Sequence, residues 1–303
     1  MKRERLRQIL AQDLLELALG EQLPTIRELA AAHNSSIGTV QAILAEFERE
    51  GAIQTERQGW MGTYLRGRSL AHLWSAAQGG DPLVIALPLP STLICEGLAT
   101  GIKTLLAENG IEAFLIFLRG SRRRLEALRR KHCNAAVIST FAASTMCGAG
   151  EKCVLELPPQ TYAQEHRVFY GRDPETIAHR QLRVAIDRDS ADLQRLTEME
   201  FAEAEVEFVS ATFLQYVQML EQGMVDAVVW DTDEAKGRLP ATHFSRPLSD
   251  RVLQQIGMTN TRASLVARHN DSPSEQVIRQ CLDTPRLLQI QSEVMSGTRV
   301  PAY

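Results

Sequence analysis

The stretch LVIALPLPS, Leu83–Ser91, has a counterpart in LRVAIDRDS, Leu182–Ser190, and this pairing decides how most of the chain is read. Each is a short apolar run that gives way to polar residues and opens a helical pattern, the form of a buried strand leading into a helix. The echo continues further along. LRRKHCNAAVIST, Leu128–Thr140, matches LEQGMVDAVVWDT, Leu220–Thr232, each a helix end followed by a strand. EAFLIFLRG (112–120) and EVEFVSAT (205–212) stand between the paired segments. Strands alternating with helices predict βαβ units and a largely parallel sheet. Because the pattern occurs twice, it predicts two similar α/β lobes with a cleft between them. LELPPQTYAQEHRVFYG, Leu155–Gly171, is expected to cross between lobes, and the chain to cross back near Ser245–Asp250. RASLVARH then returns a strand to the first lobe.

Ligands of open α/β sheets bind beyond the carboxyl ends of the strands. In the first lobe those ends are Pro88–Ser91, Arg119–Ser121 and Ser139–Thr140; in the second they are Asp187–Asp192, Ser210–Thr212 and Trp230–Asp231. The chemistry on offer is that of binding. Ser91 and Ser190 are each placed to cap a helix whose amide N–H groups suit an anion, and Glu96 lies in the first turn after Ser91. Arg119, followed by the permissive Gly120, is the first choice for holding a carboxylate or phosphate; the bland reading is a surface salt bridge. Asp187 and Asp189 either receive an amine or stabilise the following helix through its dipole. His166 reads more readily as hydrogen-bonded structure than as a ligand contact, and Trp230 equally as a stacking partner or a core aromatic. No GxSxG, HExxH or GxGxxG occurs, and GLATGIKT (97–104) has the wrong spacing for a phosphate loop and lies in a helical pattern. The expectation is therefore no enzyme, with catalysis in the cleft as the alternative.

The 303 residues suit about two domains, and the net charge of −4 makes any nucleic-acid contact local. The charged start MKRERLRQIL has no signal-peptide core and no window reaches a membrane span, so a cytoplasmic protein is expected. Five cysteines without a CxxC read as reduced thiols, and His132, Cys133, Cys147 and Cys153 have no zinc-finger spacing. Neither metal nor cofactor is expected.

Residues 1–66 read as a separate unit. Leu6, Ile9, Leu10, Leu14 and Leu17 form one amphipathic helix ending near Gly20. After Pro24, Thr25 with Glu28 makes a capping box for a second helix. Ser36 caps a third, whose core face is Ile37, Val40, Leu44 and Phe47, and Gly51 ends it. Two helices joined by a tight polar turn are a helix-turn-helix, with Thr39 and Gln41 facing base edges and Ser36 beside them among the DNA-binding candidates. A hairpin, 52–57 and 63–66, follows as a wing with Arg57 and Arg66 toward phosphates. Residues 1–68 hold nine basic and nine acidic side chains, with the positive ones clustered at Lys2, Arg3, Arg5, Arg7 and the wing. The expected partners are double-stranded DNA and a small effector, with the chain forming a homodimer or a higher homo-oligomer. Residues 67–82, with Leu70, Leu73, Trp74 and Ala77 on one face, read as a linker resting on a partner chain or on its own domain, and 83–303 as the effector domain.

LPTIRELAAAHNSSIGTVQAILAEFEREGAI followed by RQGWMGTYL resembles the GntR-type winged helix, although Ile37 and Gln41 stand where that family has arginines. The whole chain resembles the YhfZ-type regulators, a small winged helix joined to a domain like the type 2 periplasmic binding proteins. That resemblance is carried by PLPSTLICEGLATGIK, LRG, QEHRVFYG, AIDRDSADLQ, DAVVW and the terminal VPAY. It implies a DNA-binding regulator and brings no ligand with it.

Overall fold

The computed structural model describes residues 3–177, 181–240 and 243–303, so Lys2 lies outside it. The chain forms two compact units, the first made of the segment ending at Leu83 together with Thr104–Phe114 and Asn270–Asp283.

In the first unit, α1 (Arg3–Glu16) buries Leu6, Leu10, Ala11, Leu14 and Leu15, ending a turn earlier than its periodicity suggests. The helix α2 (Ile26–Ala32) begins at the expected capping box: Thr25 accepts from the Glu28 amide while the Glu28 carboxylate accepts from the Thr25 amide at 2.7 Å. The turn after it runs through Asn34 at φ 47°, a left-handed position that Asn tolerates. Then comes α3 (Ile37–Arg49), capped by Ser36. Its buried stripe is Val40, Ile43 and Phe47, with Leu44 half-buried; Ile37, expected in the core, is 50% exposed. The stripe spaced 40, 43, 44, 47 is the better helical fit, and it turns Ile37 outward. The wing is β1 (Ile53–Arg57) paired antiparallel with β2 (Thr63–Arg68). Residues 70–78 form α4 (Leu70–Gln78), which buries Leu73, Trp74, Ala76 and Ala77 and packs on α1. Arg68 ties these pieces together by donating to the carbonyls of Leu14 and Leu15 at 3.0 Å.

The second unit holds two sheets. In chain order its elements are β3 (Leu83–Leu87), α5 (Leu93–Glu108), β4 (Ala113–Phe117), α6 (Ser121–Arg129), β5 (Ala135–Ser139), α7 (Thr140–Met146) and β6 (Glu151–Glu156). Next are β7 (His166–Tyr170), α8 (Pro174–Ile177), β8 (Leu182–Ile186), α9 (Ala191–Glu200), β9 (Val206–Ser210), α10 (Tyr216–Glu221), β10 (Ala227–Asp231), α11 (Thr232–Lys236), β11 (Phe244–Pro247) and α12 (Asp250–Ile256). Last come β12 (Ala263–Arg268) and α14 (Thr284–Met295); α13 (Ser272–Cys281), between them in the chain, belongs to the first unit and packs there on α1 and α4.

The sheets have matching orders, β4-β3-β5-β12-β6 and β9-β8-β10-β7-β11. In each the third strand pairs parallel with the first and antiparallel with the strand that returns from a crossover. One clamp is repeated residue for residue. Asn134 accepts from the Val84 amide at 2.9 Å, and Asp226 accepts from the Arg183 amide at 2.9 Å. Central strand β10 is buried on both faces, Ala227 and Val229 in one apolar cluster, Val228 and Trp230 in the other, as a two-sided sheet requires. β12 lies in the first lobe as expected. The return crossing does not fall at 245–250: Phe244–Pro247 is the edge strand β11, where a proline without an N–H is tolerated, and the chain crosses back only after α12. The two crossing segments meet where the amides of Thr161 and Tyr162 donate to the Thr261 carbonyl at 3.1 and 2.9 Å.

Gly97 and Gly101 of GLATGIKT face α14: a Cβ at Gly97 would stand 2.9 Å from the Gln291 carbonyl oxygen. Gln291 is buried and donates to the carbonyls of Ile94 and Thr161 at 3.0 and 2.9 Å. Among the described residues no helix is long and apolar enough to cross a membrane. Gly97→Ala sets two effects against each other, a helix-propensity gain of about 1 kcal/mol and a backbone collision costing about 1–3 kcal/mol. The collision is expected to win, and a thermal melt should show a lower midpoint; an unchanged or higher one would mean that α14 yields freely.

Candidate functional site

The carboxyl ends of both sheets converge on a cavity of ≈ 90 Å³ lined by residues from both lobes and from the crossing. At the ~30 Å³ that each water takes up in the liquid, it has room for roughly three waters or a small organic molecule.

Arg119, from the loop after β4, crosses to the second lobe. Its Nη1 donates to both Asp187 oxygens at 2.8 and 3.0 Å, and its Nη2 meets Asp189. The Arg119 side chain is 14% exposed and that of Asp187 2%, so this is a buried pair rather than a surface one. Gly120, at φ 80°, brings the backbone so close to the second lobe that a Cβ there would lie 2.3 Å from the Asp189 carbonyl oxygen. Arg122 donates to the Arg188 carbonyl at 3.1 Å, and Arg123 pairs with Asp189 at 3.0 Å. The lobes are thus latched closed through the first turn of α6.

Asp192, in the first turn of α9, gathers hydroxyls from both lobes: Ser139 at 3.0 Å from the first, Ser190 at 2.6 Å from its own. Ser190 therefore spends its hydroxyl on Asp192 and makes no side-chain cap, contrary to expectation. Ser91 does not cap either. Thr92 accepts from the Cys95 amide at 3.3 Å in its place, and Ser91 donates to Glu234 of the second lobe at 2.5 Å. The other Glu234 oxygen accepts from Trp230 Nε1 at 2.7 Å. Trp230 is fully buried, edge-on to Tyr216 with centroids 5.5 Å apart, and is a core aromatic rather than a stacking surface. Thr140 shares a hydrogen bond with Ser264 at 2.8 Å. Glu96 faces Tyr303 instead of the cavity, and its charge and hydrogen bond help to raise that phenol's pKa after burial itself. His166 lines the cavity, bonded to Asn260 at 3.0 Å, and burial lowers its pKa so that it stays neutral.

Of the candidates named from the sequence, Arg119, Gly120, His166, Asp187 and Ser190 line the cavity, while Ser91, Ser139 and Trp230 hold its carboxylates from behind. The sequence reading missed Arg124 and Glu234 and gave Asp192 and Asp231, both named at strand ends, no role. Arg124 was legible: with Ser121, Leu125 and Leu128 it lies on the buried stripe of α6, an arginine in register with an apolar face. It is 2% exposed and donates to the Leu118 carbonyl and the Tyr162 hydroxyl, both at 2.7 Å. Asp231 caps α11 through Oδ1, which accepts from the amides of Asp233 and Glu234. Burial pushes its carboxyl up to about 6, the nearby Gln164 amide favouring the charged form only slightly.

A second concave surface, ≈ 740 Å³, lies in the first unit between α2, α3 and the wing, and brings together Arg27, Ile37, Gln41 and Arg57. Arg57 and Arg27 are exposed and have no ion pair among the described residues, whereas Arg66 pairs with Glu56 at 2.6 Å. Ser36 accepts from the Thr39 amide at 3.1 Å and shares a 2.7 Å hydrogen bond with the Thr39 hydroxyl.

These features define the class: a helix-turn-helix domain joined to a two-lobed α/β domain. Residues 18–65 match the helix-turn-helix domain family and residues 70–303 the YhfZ C-terminal domain. The chain is 34% identical over 297 residues to YhfZ of Escherichia coli (strain K12), covering 97% of this chain and 95% of that one. The crystal structure of YhfZ from Shigella flexneri superposes with a TM-score of 0.62 at 30% identity, over 78% of this chain and 100% of the other. The chain belongs to the YhfZ family.

The Asp231 carboxyl gives a pH prediction. Its folded value of about 6 exceeds the ordinary 3.8, so the folded chain holds more protons than the unfolded one between those values. Stability therefore falls as pH rises through that window, by roughly 3 kcal/mol at 1.36 kcal/mol per pH unit. Asp231→Asn, which keeps a good N-cap, should raise neutral-pH stability by about 1–3 kcal/mol and flatten the profile between pH ~4 and ~6. Denaturant unfolding across pH checks both, and an unaltered profile would remove Asp231 from this role.

Proposed function

We propose that the chain is a dimeric, non-catalytic transcriptional regulator that reads DNA with residues 1–66 and senses a small molecule in the cavity formed by residues 83–303. The observation that carries this reading is the union, in one chain, of a helix-turn-helix with an open groove and a two-lobed domain closed on a polar cavity. The cavity chemistry favours binding over turnover. Burial pushes the Cys95 thiol up to about 12, and the His166 ring is hydrogen-bonded to Asn260 at 3.0 Å, so no activated nucleophile–base pair is assembled from the two. The small anion suggested by the sequence loses its main support, because Arg119 is already held by Asp187 and Asp189. The effector is better described as a small polar molecule meeting both charge signs.

In the DNA half, Gln41 is the base reader and Arg57 the phosphate contact, with Arg27 added beside it; Ser36 and Thr39 shape the start of the recognition helix. Arg66 is the weaker phosphate candidate, since Glu56 competes for it. Two-fold pairing would double the few contacts that one such unit makes. Point substitutions test this better than truncation, because deleting residues 1–68 would strip α4 and α13 of their packing on α1.

Gel retardation with fragments selected from a genomic library is the measurement. Arg57→Ala should weaken all sequences alike and reduce the salt slope by about 0.9. Gln41→Ala should relax discrimination at one base by about 1–3 kcal/mol. Indistinguishable behaviour of the two variants would refute this partition, and failure of the full chain to retard any fragment would remove the regulator reading itself.

A further inference from the structure

Two residues of the cavity lining each carry a buried polar atom that the protein leaves without a partner. Arg124 Nε and Asp231 Oδ2 are each fully shielded and make no hydrogen bond. Arg124 is 2% exposed and Asp231 9%, and both line the same cavity. The other charged side chains of the lining have partners: Arg119 with Asp187, Asp192 with serine hydroxyls, Glu234 with Ser91 and Trp230. Buried polar atoms are nearly always paired, so an orphaned donor and an orphaned acceptor in one cavity call for an occupant. A water molecule serves either atom but neutralises neither charge.

We propose that the cavity takes a small zwitterion of the amino-acid class, its ammonium on Asp231 Oδ2 and its carboxylate on Arg124 Nε. This rests on the reading of the cavity as an effector site and names the chemistry of the effector. A plain organic anion would find Arg124 but leave Asp231 unpaired, beside the further carboxylates of Asp192 and Glu234. A plain amine would leave the Arg124 donor empty. The zwitterion meets both with charge-assisted hydrogen bonds. Arg124 belongs to α6 of the first lobe and Asp231 ends β10 of the second, so one molecule touching both bridges the lobes. Such a ligand binds the closed arrangement and not an open one, which is the differential affinity that a sensor needs.

The test is calorimetry and thermal shift on the full chain with glycine, alanine, serine and β-alanine. Matched single-charge controls accompany them: acetate, propionate, methylamine and ethylamine. At least one amino acid should bind one per chain, a hundredfold tighter than its matched acid or amine. Asp231→Asn, which retains the cap of α11, should weaken it tenfold or more, and so should Arg124→Lys, which keeps the charge but lacks Nε. The two variants guard each other against a folding defect, checked by circular dichroism. An acid or amine binding as tightly as its amino acid, or an amino acid indifferent to Asp231→Asn, would overturn the zwitterion and leave the sensor reading standing. So would a panel without binders when a wider metabolite set supplies one. An amino acid that binds as described but leaves DNA retardation unchanged would instead overturn the sensor reading alone. No binder in either set would overturn both.

Discussion

The ion pair of Arg119 with Asp187 is the constraint on which the second unit depends. It joins the end of β4 in one lobe to the end of β8 in the other, almost wholly out of water. Desolvating two charges is costly, so such a pair contributes little net stability, yet removing one partner costs about 3–5 kcal/mol because the other charge is left stranded. Its consequence is geometric. With Arg119 extended into the second lobe, Gly120 lies against the Asp189 backbone, and the turn of α6 that follows carries Ser121, Arg122 and Arg123 to partners on α9 and the loop before it. Any larger residue at 120 would hold the lobes apart.

This also explains why the candidate anion holder was misread. The sequence shows an arginine before a glycine at a strand end, and that pattern suits a ligand cradle and an interlobe latch equally. What distinguishes them is the position of Asp187 and Asp189, which come from the matching strand end of the other lobe. The internal repeat placed both residues correctly at strand ends; it held no information about how the lobes face each other. Ser91 and Ser190 failed as caps for the same reason, since buried carboxylates from α11 and α9 took their hydroxyls. By contrast the strand alternation, the Thr25–Glu28 box and the returning strand β12 are local or periodic signals, and the fold follows them.

Arg124 marks the boundary between these two kinds of information. Its register on the α6 stripe was visible, and an arginine seldom occupies such a stripe without a buried acceptor. The identity of its acceptors was not visible. The Leu118 carbonyl is next to it in sequence, but Tyr162 arrives from the interlobe crossing, which has no periodicity to read. Tyr162 is also hydrogen-bonded through its backbone to Thr261 on the return crossing. A group that engages the Arg124 guanidinium therefore acts one hydrogen bond from the hinge.

The interlobe contacts set how much a ligand would have to add. The interlobe bonds of Arg119, Ser139 and Ser91 already favour the closed arrangement, so an effector need supply only the difference. Coupling between sites is typically ~1–3 kcal/mol, or about 5–150-fold in affinity. Pairing two orphaned, buried, charged atoms is of that order, because charge-assisted hydrogen bonds contribute about 1.5–3 kcal/mol each and part of this is lost to immobilising the ligand. The raised pKa of Asp231 points the same way. Burying that carboxylate without a counter-ion disfavours the closed arrangement at neutral pH, and an ammonium beside it would lift the penalty. The carboxylate that burial destabilises is thus the one through which a cationic group would favour closure.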